Sequence, residues 1–184
     1  MSTETSHSSS GLRWWPLALG VAVAAGQAFG AGRGFASIVL VCAVIYLFAA
    51  VTARPAFAWI GFAASLPLVG LAVLLRTETL SLALIGAAGI VLVIVGMMRG
   101  AWQRRINRIQ LVAAAAFGAV AVVAVVAPPV AGPLVIAGLL AHAAWDIVHH
   151  RRNAVVARPY AEFCAALDIA LGILIAVLLL VRAG

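Results

Sequence analysis

Seven apolar stretches, each close to the thickness of a bilayer's hydrocarbon core, alternate along this chain with short breaks carrying Arg, Gly and Pro. A helix rising 1.5 Å per residue needs about 20 residues to cross about 30 Å of hydrocarbon. Stretches 14–32, 34–53, 55–75, 79–98, 109–127, 132–149 and 160–181 meet that length. Arg33 between glycines divides the first pair, Arg54-Pro55 the second, and Arg76-Thr77-Glu78 the third from the fourth. Pro128-Pro129 with Gly132-Pro133 predicts a tight turn between the fifth and sixth, and Pro67 predicts a kink in the third. Connections this short make neighbouring helices antiparallel. The expected fold is therefore all-α, a polytopic seven-transmembrane-helix bundle over residues 13–184. Residues 1–12 form a polar tail of disordered composition, in which His7 has no assigned role. With Glu4 and a single Arg before the first apolar run, the tail does not read as a secretory signal.

Composition agrees with a membrane solvent: 66% of residues are hydrophobic, 9% are charged, and mean hydropathy is +1.18. All twelve basic residues are Arg. A chain without lysine cannot form a retinal Schiff base, a Walker-type phosphate loop or a lysine-based covalent intermediate. Orientation follows from the Arg asymmetry. With the N-terminus inside, Arg13, Arg54, Arg99, Arg104, Arg105, Arg108, Arg151, Arg152 and Arg158 are cytoplasmic, whereas Arg33, Arg76 and Arg182 are outside. Trp14, Trp15, Trp59, Trp102 and Tyr160 fall near the same cytoplasmic boundary, which suits amphipathic rings. The expected location is a bacterial plasma (inner) membrane, multi-pass, with the N-terminus cytoplasmic and the C-terminus outside. The high pI then reflects Arg-rich loops that meet anionic lipid headgroups rather than nucleic acid. Spacings such as Gly26-xxx-Gly30 and the run Ala113 to Ala116 let helices approach closely, within one chain, a homo-oligomer or a larger membrane complex. Cys42 and Cys164 lie inside apolar runs and read as small buried hydrophobes.

Against this background His142-Ala-Ala-Trp-Asp146-Ile-Val-His149-His150 stands out, with three of the four histidines and one of five acidic residues. At about 100° per residue, His142, Asp146, His149 and His150 project at about 0°, 40°, −20° and 80°, so they share one stripe. Each ionisable group facing lipid costs about 2.5–3.5 kcal/mol on insertion scales, which turns the stripe inwards. Folding the last two spans as a hairpin sets His142 level with Asp168, and Asp146 level with Cys164. Tyr160, Cys164 and Asp168 then share a face, from which Glu162 points away. Tyr46 is placed to hydrogen-bond into the bundle.

Three readings follow. In the first, His142, Asp146 and Asp168 on the sixth and seventh helices form a cytoplasm-facing intramembrane site that ligates a divalent transition metal (Zn, Fe, Mn or Cu) or passes protons, with Asp146, His149 and His150 continuing the polar path to the cytoplasmic surface, in a protein that handles cations. In the second the same metal serves a membrane enzyme, a hydrolase or oxidoreductase acting on a lipid or membrane-dissolved substrate, with His149 or His150 as general base. In the third the cluster is a structural lock in a noncatalytic accessory subunit. Asp146-x-x-His149-His150 resembles the HxxHH histidine boxes of membrane di-iron desaturases and hydroxylases, although four histidines fall short of their several boxes. The intramembrane His and Asp also resemble those of seven-span metal hydrolases of the alkaline ceramidase type, without a second ligand segment on another helix. These resemblances imply a membrane metalloenzyme, which is the second reading. The basic loop from Arg99 to Arg108 reads as a membrane anchor.

Overall fold

The computed structural model describes residues 14–29 and 35–183. The polar tail, Arg13, Arg33 and the second glycine of Gly26-xxx-Gly30 lie outside them. Seven α-helices account for most of the described chain: α1 (Trp15–Phe29), α2 (Phe35–Thr52), α3 (Ala58–Leu74), α4 (Thr79–Met98), α5 (Arg105–Val126), α6 (Pro128–Arg152) and α7 (Arg158–Ala183). Single 3-10 turns at Pro55–Phe57 and Ala101–Gln103 begin the approaches to α3 and α5. Five helices, α2 and α4 to α7, are long and apolar enough to cross a membrane, while α1 and α3 contribute shorter apolar segments.

One expectation about proline comes out differently. The Pro-Pro pair does not form a turn. It opens α6, with Ala127 the single residue between α5 and α6, and Pro133 lies inside the helix. Proline suits a first helical turn because its missing N–H would have no partner there, and its fixed φ is already helical. Pro67 lies inside α3, as expected. α6 stops at Asn153, which takes the left-handed conformation (φ 47°) that asparagine tolerates better than most residues.

α2 is the axis of the bundle. It is hydrophobic on every side, and 15 of its 18 residues are buried against α3, α4, α5 and α6. α7 packs on α6 and on α1. A Cβ at Gly20 of α1 would collide with the Phe163 carbonyl oxygen of α7, so this glycine permits the closest approach in that pair. Elsewhere the surface is apolar: Ile90, Val91, Ile94, Met97 and Met98 of α4, with Ile173, Leu180 and Val181 of α7, are all exposed. Such continuous apolar faces need a hydrocarbon solvent, which marks a membrane-embedded protein.

The two ends of the bundle differ. The Ala157 amide donates to the Pro55 carbonyl (3.3 Å), joining the α6–α7 and α2–α3 connections at one end, where Arg54, Arg151, Arg152 and Arg158 gather. At the other end Phe35, Glu78, Pro128 and Arg182 line one cavity of about 410 Å³. Tyr160, in the first turn of α7 at the Arg-rich end, is buried between helices, packed edge-on against Trp59 at 5.1 Å. Its position on the same face as Cys164 and Asp168 turns it into the core.

Candidate functional site

One polar stripe runs through the core, and α2, α5, α6 and α7 each supply part of it at heptad-like spacing. From α6 come His142, Asp146 and His149, from α7 Asp168 and Cys164, from α2 Cys42 and Tyr46, and from α5 Gln110; each is at most 6% exposed. The spacings of three, four and seven residues keep each helix's polar groups on one inward face.

At the centre His142 Nδ1 lies 2.8 Å from Asp168 Oδ2 and 3.2 Å from Asp146 Oδ2. The N–H of that nitrogen is directed at Asp168, because Asp146 Oδ2 has no hydrogen-bond partner among the described residues. Proximity of charge is therefore all that Asp146 Oδ2 receives. Its other oxygen accepts from the Tyr46 hydroxyl, and Asp168 Oδ1 faces the Cys42 thiol at 3.8 Å. His142 Nε2 is also buried and unpartnered, with the Phe117 ring edge-on at 5.2 Å. Two buried carboxylates thus share one imidazole. With both carboxyls ionised, even a charged imidazole would leave the cluster one positive charge short.

Tyr46 carries the stripe onward, since its ring stands edge-on to both His142 (5.4 Å) and His149 (5.0 Å). His149 Nδ1 donates to the Trp145 carbonyl (2.9 Å), and the Gln110 amide donates to His149 Nε2 (2.9 Å). That pair of partners fits a neutral imidazole. Gln110 Oε1 in turn accepts from the Trp145 indole (3.2 Å).

The residues expected at the site therefore separate into three groups. His142, Asp146 and Asp168 meet. His149 lies two turns further along the stripe, with both ring nitrogens engaged. His150, about 80° away from His142, leaves the stripe and pairs with Glu162 at 2.8 Å on the bundle's partly exposed flank. The expectation that all four polar residues of α6 share one face fails at His150, because that rotation is enough to reach the flank. Cys42 and Gln110 were not legible as site residues. Cys42 read as one more small apolar residue of α2, although its i, i+4 relation to Tyr46 was an available signal. Gln110, an amide inside an apolar span, was another.

Cys42, His142 and Asp168 offer donor atoms that all lie within 4.8 Å of one another. In a tetrahedral zinc-type site with bonds of about 2.0–2.3 Å, ligand atoms stand about 3.3–3.7 Å apart. Within this group His142 Nδ1 stands 2.8 Å from Asp168 Oδ2 and Cys42 Sγ stands 3.8 Å from Asp168 Oδ1, each within about half an ångström of that range; Asp146 is not one of the three. No family model matches the chain, nor does any curated protein or solved structure in the comparisons made.

Proposed function

We propose that this is a seven-span inner-membrane protein, N-terminus inside and C-terminus outside, that handles a cation at the His142–Asp146–Asp168 cluster. The cation is a divalent transition metal of the Zn, Fe, Mn or Cu kind, with Cys42 in reach as a fourth donor. One observation carries this reading: two fully buried carboxylates face a single imidazole, and Asp146 Oδ2 is left with no donor. In an apolar core a shortfall of positive charge is expensive, and a bound cation removes it. Imidazole, carboxylate and thiolate together suit borderline metals better than Mg²⁺ or Ca²⁺, which prefer an all-oxygen shell.

Protons are the second reading, favoured by the Tyr46–Asp146 hydrogen bond and by the continuation of the stripe to His149 and Gln110. A metalloenzyme using His149 or His150 as base has less support. The first has both nitrogens committed and the second sits with Glu162 outside the stripe. Elemental mass spectrometry on untagged protein in mild detergent tests the proposal. About one metal per chain in the wild type, lost in His142→Ala and Asp168→Asn, is expected. A wild type that stays metal-free after incubation with Zn²⁺ overturns the metal reading.

A further inference from the structure

The cavity at the Glu78/Arg182 end lies directly in line with the cation site. It is lined by Phe35 of α2, Ala124 of α5, Val135 of α6 and Ile175 of α7. Seven residues along each of those helices stand Cys42, Phe117, His142 and Asp168, which are the site and the ring packed on its imidazole. Seven residues are two helical turns, or about 10 Å. The same inward faces that build the site therefore open, two turns away, into a space of about 410 Å³. At about 30 Å³ per molecule, that is room for roughly a dozen waters. Among the described residues its charged lining is Glu78 and Arg182, of opposite sign.

Between cavity and site lies a single layer. Val39, Ala121, Leu139 and Leu171 occupy the intervening turn of the same four faces, and each is 0% exposed. All four are apolar. The layer closes tightly because Gly138 brings α6 against its neighbours: a Cβ there would stand 3.1 Å from Val39 and 3.2 Å from Val120. The opposite direction differs in kind: Tyr46, hydrogen-bonded to Asp146, lies edge-on to His149, which joins Gln110 and Trp145 in a hydrogen-bonded group towards the Arg-rich end.

We propose that the cation reaches the site from the Glu78/Arg182 end, and that the Val39–Ala121–Leu139–Leu171 layer is the gate it passes. This rests on the cation-site reading above. A cation in the cavity keeps its water shell, and at the site it exchanges that shell for Asp146, Asp168, His142 and Cys42. Only the one-turn apolar layer offers it neither, so that layer sets the rate of exchange without setting the affinity. An apolar constriction of this kind conducts when its side chains part and water enters.

The test loads purified protein in nanodiscs, where both faces are open, with Zn²⁺ and follows its release to a chelator by stopped flow. Leu139→Ala should release Zn²⁺ about tenfold faster than wild type, the change expected when an exchange barrier falls by about 1.4 kcal/mol. Its equilibrium Zn²⁺ content should not change. Ala131→Cys, at the cavity lining, should release Zn²⁺ several-fold more slowly once a bulky thiol reagent is attached. Ala154→Cys, at the Arg-rich end, should not respond to the reagent. The native Cys42 and Cys164 are both buried, and reagent-treated wild type controls for them. Normal Zn²⁺ content with unaltered release in Leu139→Ala, or slowing only in labelled Ala154→Cys, overturns the gate and leaves the site standing. A wild type that binds no Zn²⁺ overturns the site itself, and with it the gate.

Discussion

Removing the shared imidazole should cost this fold more than removing either carboxylate. His142→Ala leaves Asp146 and Asp168 facing each other in the core. Both nearer oxygens lie within 3.2 Å of one nitrogen, so they are at most about 6 Å apart. At an effective dielectric of about 20, their repulsion at that distance is about 3 kcal/mol, and each attraction lost at about 3 Å is about 5–6 kcal/mol. Breaking a buried pair by deleting one partner costs about 3–5 kcal/mol in practice, and His142→Ala belongs at the upper end. Asp146→Asn removes the longer contact together with the repulsion between carboxylates. Much of its loss is thereby cancelled, leaving about 2 kcal/mol on the same scale. Asp168→Asn falls between, since it gives up the 2.8 Å hydrogen bond and the acceptor facing Cys42. The assay is thermal unfolding of chelator-treated protein in mild detergent, read by a maleimide-coumarin dye. Cys42 and Cys164 are buried free thiols that react only as the bundle opens. The expected order of destabilisation is His142→Ala, then Asp168→Asn, then Asp146→Asn. If Asp146→Asn proves as damaging as His142→Ala, the charge balance argued for the cluster is wrong.

Four further outcomes are expected. Gln110→Leu strands His149 Nε2 and the Trp145 indole inside the bundle and should cost about 1–3 kcal/mol in the same thermal assay, with metal content unchanged. His150→Ala removes only a pair on the bundle's flank, so it should shift stability by less than about 1 kcal/mol and leave metal content at the wild-type level. Gly20→Ala sets a methyl group against the Phe163 carbonyl and should destabilise by about 1–3 kcal/mol, with altered tryptophan emission as Trp15 moves from Trp59. A reporter active only in the cytoplasm should work when inserted after Gln103 and fail when fused to the C-terminus; the reverse pattern would invert the proposed orientation.

The sequence by itself determined the solvent and the class of fold. Apolar runs of helical, bilayer-matched length leave a chain few other ways to satisfy its backbone in hydrocarbon, so the all-helical outcome was legible from composition and spacing. The hairpin register was legible too, because the α6–α7 turn is short and helical rise is constant; His142 does meet Asp168. Only the tertiary structure decided what surrounds that pair. Cys42 and Tyr46 belong to a helix that is hydrophobic all round, and such a helix has no sequence-encoded inward face, so their partners depend on which helices enclose α2. His150 illustrates the same limit from the opposite side. Its angle on α6 was computable, but whether 80° lies inside or outside the bundle depends on where α7 places Glu162. The layering of cavity, apolar turn and polar site is more distant still from the sequence. It arises because four helices, separated by up to 126 residues at the Cys42–Asp168 contact, align their inward faces at one depth. Periodicity records which residues of one helix share a face, and only packing brings the faces of different helices together.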